Sequence, residues 1–212
     1  MLIDLHTHTS HLSMDSVLSV GDLVALAVDR GLDGICLTEH NAVWEPLKLE
    51  ELRKKYDFPI FSGMEVGTER GHVLVFGLER FALEFLSLAR LREAVERAGA
   101  AMILAHPLRE MSLPVGWNEL PLFFHGVETL NGSDANESNG YLASMVDGVG
   151  LPGAGGSDAH SESVVGSCAT LYEKQIRSDA DLVRETLAGR FRAVDLRAMP
   201  DKPQPSPGPR SP

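Results

Sequence analysis

The first fifteen residues, MLIDLHTHTSHLSMD, hold three histidines and two aspartates directly after a short apolar run. In an extended strand, residues i and i+2 project to the same side. His6 and His8 can therefore grip one cation together. Asp158 and His160 repeat that two-residue spacing after the run LPGAGGS. Between the two pairs, more polar residues fall at the edges of apolar runs: Glu39 and His40 after GICLT, Glu65 after PIFSG, and His106 after AMILA. His72 differs, because it begins its run, HVLVFG. Imidazole suits zinc, iron and manganese, and a carboxylate can bridge two hard cations. One histidine at a strand edge is more often a hydrogen-bonded structural residue than a ligand. An HxH pair alone is a weak signal. Two same-side pairs with three further strand-edge histidines predict a polynuclear metal site. His11, in a loop beside the first pair, and His125, in FFHGV, are not needed by this pattern, and His125 reads as structural.

The elements that must bring these residues together follow from periodicity. Apolar runs predict strands at 2–5, 34–38, 59–66, 72–77, 101–106 and 126–130, and near 152–156 and 167–171. Amphipathic spacing predicts helices at 19–31, 45–56, 83–98, 136–148 and 179–189. Ser19 or Asp22 can open the first helix, and Gly31 and Gly99 are natural stops. Apolar strands alternating with amphipathic helices imply an α/β protein with a helix-covered parallel sheet. About seven such units point to a small barrel. In a barrel of that kind the C-terminal strand ends share one face, so residues spread along most of the chain converge there. His72 reaches the same face if the 66–71 link folds back.

Composition bounds the rest. The chain has 212 residues, enough for one sizeable core, and a formal net charge of −11. Such a charge argues against a large nucleic-acid surface, which would be basic. A nucleotide or short oligonucleotide at a metal centre remains compatible. No apolar run approaches the roughly 18 residues that a membrane span needs. Leu2 and Ile3 are followed at once by Asp4 and His6, which does not fit a secretory signal. The expected location is the cytoplasm. Cys36 and Cys168 lie in apolar runs and read as buried thiols. The main domain is expected over residues 1–197. Beyond it, MPDKPQPSPGPRSP carries half of the chain's twelve prolines, so 198–212 is expected to be a disordered tail.

The motifs DLHTHT, LTEH, GMEV, GHVLVFG, LAHP, VETLNG and GGSDAHS, in this order, resemble the PHP (polymerase and histidinol phosphatase) family over residues 1–195. The resemblance implies a distorted (β/α)7 TIM-like barrel, a trinuclear site of manganese, zinc or iron, and phosphoesterase activity. Carried onto this chain, it implies a first metal on His6, His8, Glu65 and Asp158. Glu65 would bridge to a second, also held by His72 and His106. Asp15, His40 and His160 would hold a third. Glu39 departs from the family, which usually has aspartate before the histidine.

The implied chemistry is consistent with the spacing. Two metals roughly 3.5–4 Å apart can share a water and lower its pKa, giving a hydroxide for in-line attack on phosphorus. The third would stabilise charge on the phosphate oxygens. Beside His6, His8, Glu65, Asp158 and His160, Arg109 in HPLRE is a candidate phosphate clamp, because guanidinium pairs bidentately with phosphate; a solvated surface arginine is the plain alternative. Asn131 and Ser133 either orient ligands or form an Asn-Gly turn. The stretch 107–125, with Trp117, reads as a lid or as an ordinary packed loop. The expected substrate is a small phosphorylated molecule, with a nucleotide or short oligonucleotide included. Two other readings stand beside this one. An amidohydrolase-like enzyme would often need a strand-end lysine, yet Lys48, Lys54, Lys55, Lys174 and Lys202 all lie in polar, helical or tail contexts. A scaffold with structural metals would not need the full ligand set.

Overall fold

Among the described residues the strands form two five-stranded sheets. The computed structural model describes residues 1–109, 115–134 and 136–197. The strands are β1 (Leu2–Thr7), β2 (Gly34–Leu37), β3 (Ile60–Ser62), β4 (Met64–Thr68), β5 (Gly71–Phe76), β6 (Ala101–Leu104), β7 (Gly126–Asn131), β8 (Gly153–Gly156), β9 (Cys168–Tyr172) and β10 (Phe191–Asp195). The helices are α1 (Val20–Arg30), α2 (Pro46–Tyr56), α3 (Leu88–Ala98), the short α4 (Leu120–Phe123), α5 (Asn136–Asp147) and α6 (Asp179–Leu187). One sheet has the order β10-β9-β1-β2-β3 and the other β4-β5-β6-β7-β8, and they meet where β8 packs on β1, β9 and β10.

The α/β class stands, but in place of the expected distorted (β/α)7 barrel of parallel strands the described residues form two mixed sheets. β1 and β2 pair in parallel, as do β2 and β3, β6 and β7, and β7 and β8. β5 runs antiparallel to both β4 and β6, and β9 runs antiparallel to β1 and β10. The cause is connection length. A parallel crossover needs a dozen or more residues, and only two residues separate β4 from β5, so a hairpin forms. Single bridges, Thr7 with Ala159 and His40 with Glu65, link the two sheets.

The run 59–66, expected as one strand, breaks at Gly63. A side chain there would press on the Phe76 ring, with a Cβ only 2.9 Å from it. β3 thus ends the first sheet and β4 starts the second. β10 was not expected at all. Residues 198–212 of the expected tail, and 110–114 of the expected lid, lie outside the described residues.

Helix ends follow their local chemistry. Ser19 caps α1 by accepting from the Asp22 N–H, and the Asp22 carboxylate accepts from the Ser19 N–H. Gly31 closes α1 with φ 75°, a conformation open to glycine at no steric cost. Leu23, Val24 and Ala27 of α1 pack on Ile35 and Leu37 of β2. Between the sheets, Ile3, Leu5, Cys36, Leu74, Phe76 and Ile103 form one apolar layer. Both cysteines are buried free thiols, as expected, and burial pushes the Cys168 thiol up to about 12. Among the described residues no helix is long and apolar enough to cross a membrane.

Candidate metal centre

β1 carries His6 into the space between the sheets, and His8 follows it just past the strand end. Both are fully buried. Their Nε2 atoms converge on the same two carboxylate oxygens. His6 Nε2 lies 3.4 Å from Glu65 Oε2 and 3.4 Å from Asp158 Oδ1. His8 Nε2 lies 3.3 Å from each of the same two oxygens. Glu65 comes from β4, and Asp158 from the turn after β8.

The hairpin answers the question that His72 posed. His72 pairs with Gly67 across β4 and β5, so the start of β5 lies beside the end of β4. Its Nδ1 is 2.8 Å from Glu65 Oε1, and His106 Nε2 is 2.9 Å from the same oxygen. On the other side of Glu65, His40 Nδ1 is 2.8 Å from Oε2. Glu65 is thus surrounded by His6, His8, His40, His72 and His106. Farther out, Asp15 Oδ2 lies 3.1 Å from His40 Nε2 and 3.4 Å from His160 Nε2. All nine residues anticipated as ligands meet at this one face. Donor atoms of three trios, His6–His8–Asp158, His6–Glu65–His106 and His8–His40–His160, lie within 4.8 Å of one another and can each hold an ion.

Electrostatics fit cations here. His6 Nε2, His8 Nε2 and Glu65 Oε2 are buried and make no aligned hydrogen bond; His40 Nδ1 approaches Glu65 Oε2 only as an ion-pair contact. A buried polar atom left unpaired is costly, so an unpartnered cluster aimed at one point calls for something there. Burial opposes a charge on His6, but Asp158, Glu128 and Glu65 outweigh it and hold His6 well above the ordinary imidazole value. Burial likewise opposes ionised Glu65 and Asp158, yet the His6 charge, with the His106 hydrogen bond to Glu65 and the Arg109 charge beside Asp158, holds both far below the usual carboxylate range. The centre therefore demands positive charge, as a proton on imidazole or as metal ions. The donor set of imidazoles around one central carboxylate suits transition-metal cations.

Two ligand candidates have unusual backbones. Asp158 has φ 53° and His106 φ 24°, both left-handed for residues that carry a Cβ. Each is tied at its amide: Asp158 N–H donates to the His6 carbonyl at 2.8 Å, and His106 N–H donates to Glu128 Oε2 at 2.9 Å. Such conformations concentrate at functional sites, where the surroundings hold them.

Several supporting residues went unnoticed in the sequence. Glu128, buried in β7, accepts from His6 Nδ1 at 3.0 Å and from Asn131 Nδ2 at 2.9 Å. This bond fixes which ring nitrogen of His6 faces the centre. Asp4, also buried in β1, accepts from the Ser157 and Gly166 amides, and burial raises its carboxyl to about 6. The available signal was a lone acid inside an apolar strand, in LIDL and in GVETL. Ser13 and Asp134 gave no signal. Arg109 is placed on Asp158, 2.7 Å from Oδ2, and braced by Asp134 and Asn131. Ser133 Oγ donates to the Ser157 and Asp158 carbonyls. His11 is not among the metal-facing groups; its ring stacks on Trp44. His125 lies apart, bonded to Met102. Trp117 packs against the apolar cluster around α3.

Comparison with known proteins bears on the fold and the family. PsfC from Pseudomonas syringae superimposes with a TM-score of 0.67 at 20% identity, over 92% of this chain and 91% of its own. A candidate metal-dependent phosphoesterase from Bifidobacterium adolescentis gives 0.64 at 16% identity, over 93% and 98%. An amidohydrolase from Chromobacterium violaceum, with bound sulfate and no metal, gives 0.62 at 16%, over 92% and 98%. At such identities the likeness speaks for the fold alone. The sequence goes further: residues 136–191 match the PHP-associated family, and residues 4–110, half of the chain, match the PHP domain, which includes His6, His8, His40, Glu65, His72 and His106. The chain belongs to the PHP domain family.

Proposed function

We propose that this protein hydrolyses a phosphoester of a small molecule, a phosphomonoester or a nucleotide, with three divalent cations of manganese, zinc or iron. The observation that carries the reading is the cluster of buried, unpartnered donor atoms on His6, His8 and Glu65. His6, His8, Glu65 and Asp158 would hold the first ion, Glu65, His72 and His106 the second, and Asp15, His40 and His160 the third. Bound ions supply Lewis acidity and an activated water near neutral pH.

The chain's own residues divide the remaining tasks. Glu65 presents both oxygens to the histidines around it, which suits a bridging carboxylate. His6, His8 and His106 are buried, whereas the His40, His72 and His160 side chains are about a third exposed. Substrate would enter on that open side. Arg109 stands at the same rim with its side chain 38% exposed, and its charge favours an anionic group beside Asp158. The acidic balance of the chain favours small substrates over long nucleic acids.

The likeness to an amidohydrolase fold raises C–N or ester hydrolysis as a second reading. Lys48 and Lys54 lie on the exposed helix α2, paired with Glu45 and Glu50, so neither is available as a bridging group. The deciding experiment is phosphate release from a panel of phosphomonoesters, nucleotides and short oligonucleotides with each metal, beside amide and lactone substrates. Metal-dependent phosphate release that His8→Ala and Asp158→Ala both abolish is the expected result. Turnover confined to amides or lactones would replace the phosphoesterase reading.

A further inference from the structure

We propose that the open space over Gly67 is a subsite for one oxygen of the substrate's phosphoryl group, with the Asn41 side-chain amide as its donor. The inference rests on the phosphoester reading above and deepens it. It starts from a glycine that the backbone does not ask for. Gly67 lies in β4, and its φ is outside the left-handed region that favours glycine. It is two residues on from Glu65, so a side chain here would project to the same face of the strand as the Glu65 carboxylate, the face of the metal centre. Met64 and Val66 point the other way, into the apolar cluster around α3.

Packing does not explain the glycine either. Among the described residues, a Cβ at Gly67 would meet nothing closer than 3.8 Å, which is ordinary contact. The two atoms at that distance are Asn41 Nδ2 and His72 Nε2. A strand glycine without a bend or a crowded neighbour marks a place where another molecule comes close to the backbone. The space lies on the open side of the centre, where the His40 and His72 side chains are about a third exposed.

Asn41 is held so that its amide nitrogen borders this space. Its backbone N–H donates to the Glu65 carbonyl at 2.8 Å, and its Oδ1 accepts from the Gly67 N–H at 3.1 Å. The Gly67 nitrogen has only a hydrogen to offer, so the side-chain oxygen must be the atom that faces it. The NH2 group is left over as a donor, and among the described residues nothing accepts from it. The Asn41 backbone is left-handed, φ 49°, a conformation that asparagine tolerates better than most residues with a Cβ. The side chain thus spans β4 beside Glu65 and presents a neutral donor next to His40 and His72. Such a donor suits a phosphoryl oxygen, because it binds the anion without competing for the cations. Arg109 would meet the same group from the side of Asp158.

The test uses the full-length protein loaded with manganese, zinc or iron, and inorganic phosphate as the probe. Asn41→Asp keeps the oxygen that Gly67 needs and replaces the donor by a second oxygen. Gly67→Ala puts a methyl group into the space while meeting only ordinary contacts. Each variant should bind phosphate about 10-fold more weakly or worse, the scale of one hydrogen bond to a charged oxygen. Metal affinity measured without phosphate should not fall in either. Either variant binding phosphate like wild type overturns the proposal. So does a loss of metal large enough to account for the loss of phosphate, which would make Asn41 and Gly67 supports for the metal-facing histidines. If wild type holds its metals but binds no phosphate, the phosphoester reading falls and the subsite with it. If wild type and both variants bind phosphate equally, only the subsite falls.

Discussion

Arg109 and Asp158 share a hydrogen bond of 2.7 Å, from Nη1 to Oδ2, and this divides the aspartate between two tasks. One oxygen is held by the guanidinium. The other faces the His6 and His8 imidazoles. Asp134 and Asn131 in turn hold the guanidinium in place. Arg109→Met should therefore free Asp158 to rotate, and a 10- to 100-fold weaker metal affinity, roughly the scale for outer-shell partners, is expected. Asp134→Asn should have a smaller effect, because the contact to Asp158 survives. Metal titration without substrate checks this. If Arg109→Met binds metal like wild type and only KM rises, the arginine acts on the phosphate alone.

Glu128 supports both sides of the centre at once. One oxygen accepts from His6 Nδ1, and the other from the His106 N–H and Asn131 Nδ2. Glutamine keeps the shape but turns one acceptor into a donor, facing at least one N–H that already donates. Glu128→Gln should weaken metal binding by about 10- to 100-fold. Glu128→Ala should additionally cost stability, about 1–3 kcal/mol for each buried donor left unpaired. Metal titration and urea unfolding of the two variants separate these effects.

The different legibility of these parts has a physical cause. His6, His8, His40, Glu65, His106 and Asp158 stood out because each is a polar residue at the edge of an apolar run in the sequence. That pattern is local. Glu128 lies 122 residues from His6, and only tertiary structure makes them neighbours. The same holds for Ser13 and Glu39, which lie 26 positions apart with α1 and β2 between them. In the fold, helix boundaries were readable because Ser19, Gly31 and Gly99 act within one turn. The break at Gly63 was not, because its cause is the Phe76 ring on another strand. Antiparallel β5 was hidden for a simpler reason: an apolar run does not reveal strand direction.

His125 supplies a pH dependence independent of the centre. Its Nδ1 accepts from the Met102 N–H at 3.0 Å, and the His125 backbone N–H donates to the Met102 carbonyl. Burial first, and then the Arg92 charge, hold this imidazole below its ordinary value. The unfolded chain therefore takes up the proton first as pH falls. The contribution of His125 is fully present above the unfolded value, about 6.5, and is lost as pH drops from there through the folded value. His125→Asn keeps an acceptor near that position without the titration. Between about pH 7.5 and about pH 5.5, wild type should lose more unfolding free energy than the variant. Equal losses in the two proteins would remove His125 as the cause.

Gly156 ends β8 directly against the strand that carries His6. A Cβ at this position would collide with the Cβ of His6, and it would come within 2.8 Å of Glu128 Oε1 and 3.0 Å of the His6 nitrogen. Neither neighbour can yield cheaply. The His6 backbone belongs to β1, in the middle of its sheet, and Glu128 is held by three donors. Gly156→Ala should thus cost about 1–3 kcal/mol through overpacking and also displace His6, weakening metal binding beyond what the stability loss explains. Gly148 is the matching control, since a Cβ there meets only the Met145 carbonyl, at 3.4 Å. Gly148→Ala should leave both properties near wild type. Thermal unfolding together with metal titration tests the pair. Metal affinity in folded Gly156→Ala equal to wild type would mean that the centre tolerates a shift of β1, and the close packing of β8 would then serve the fold alone.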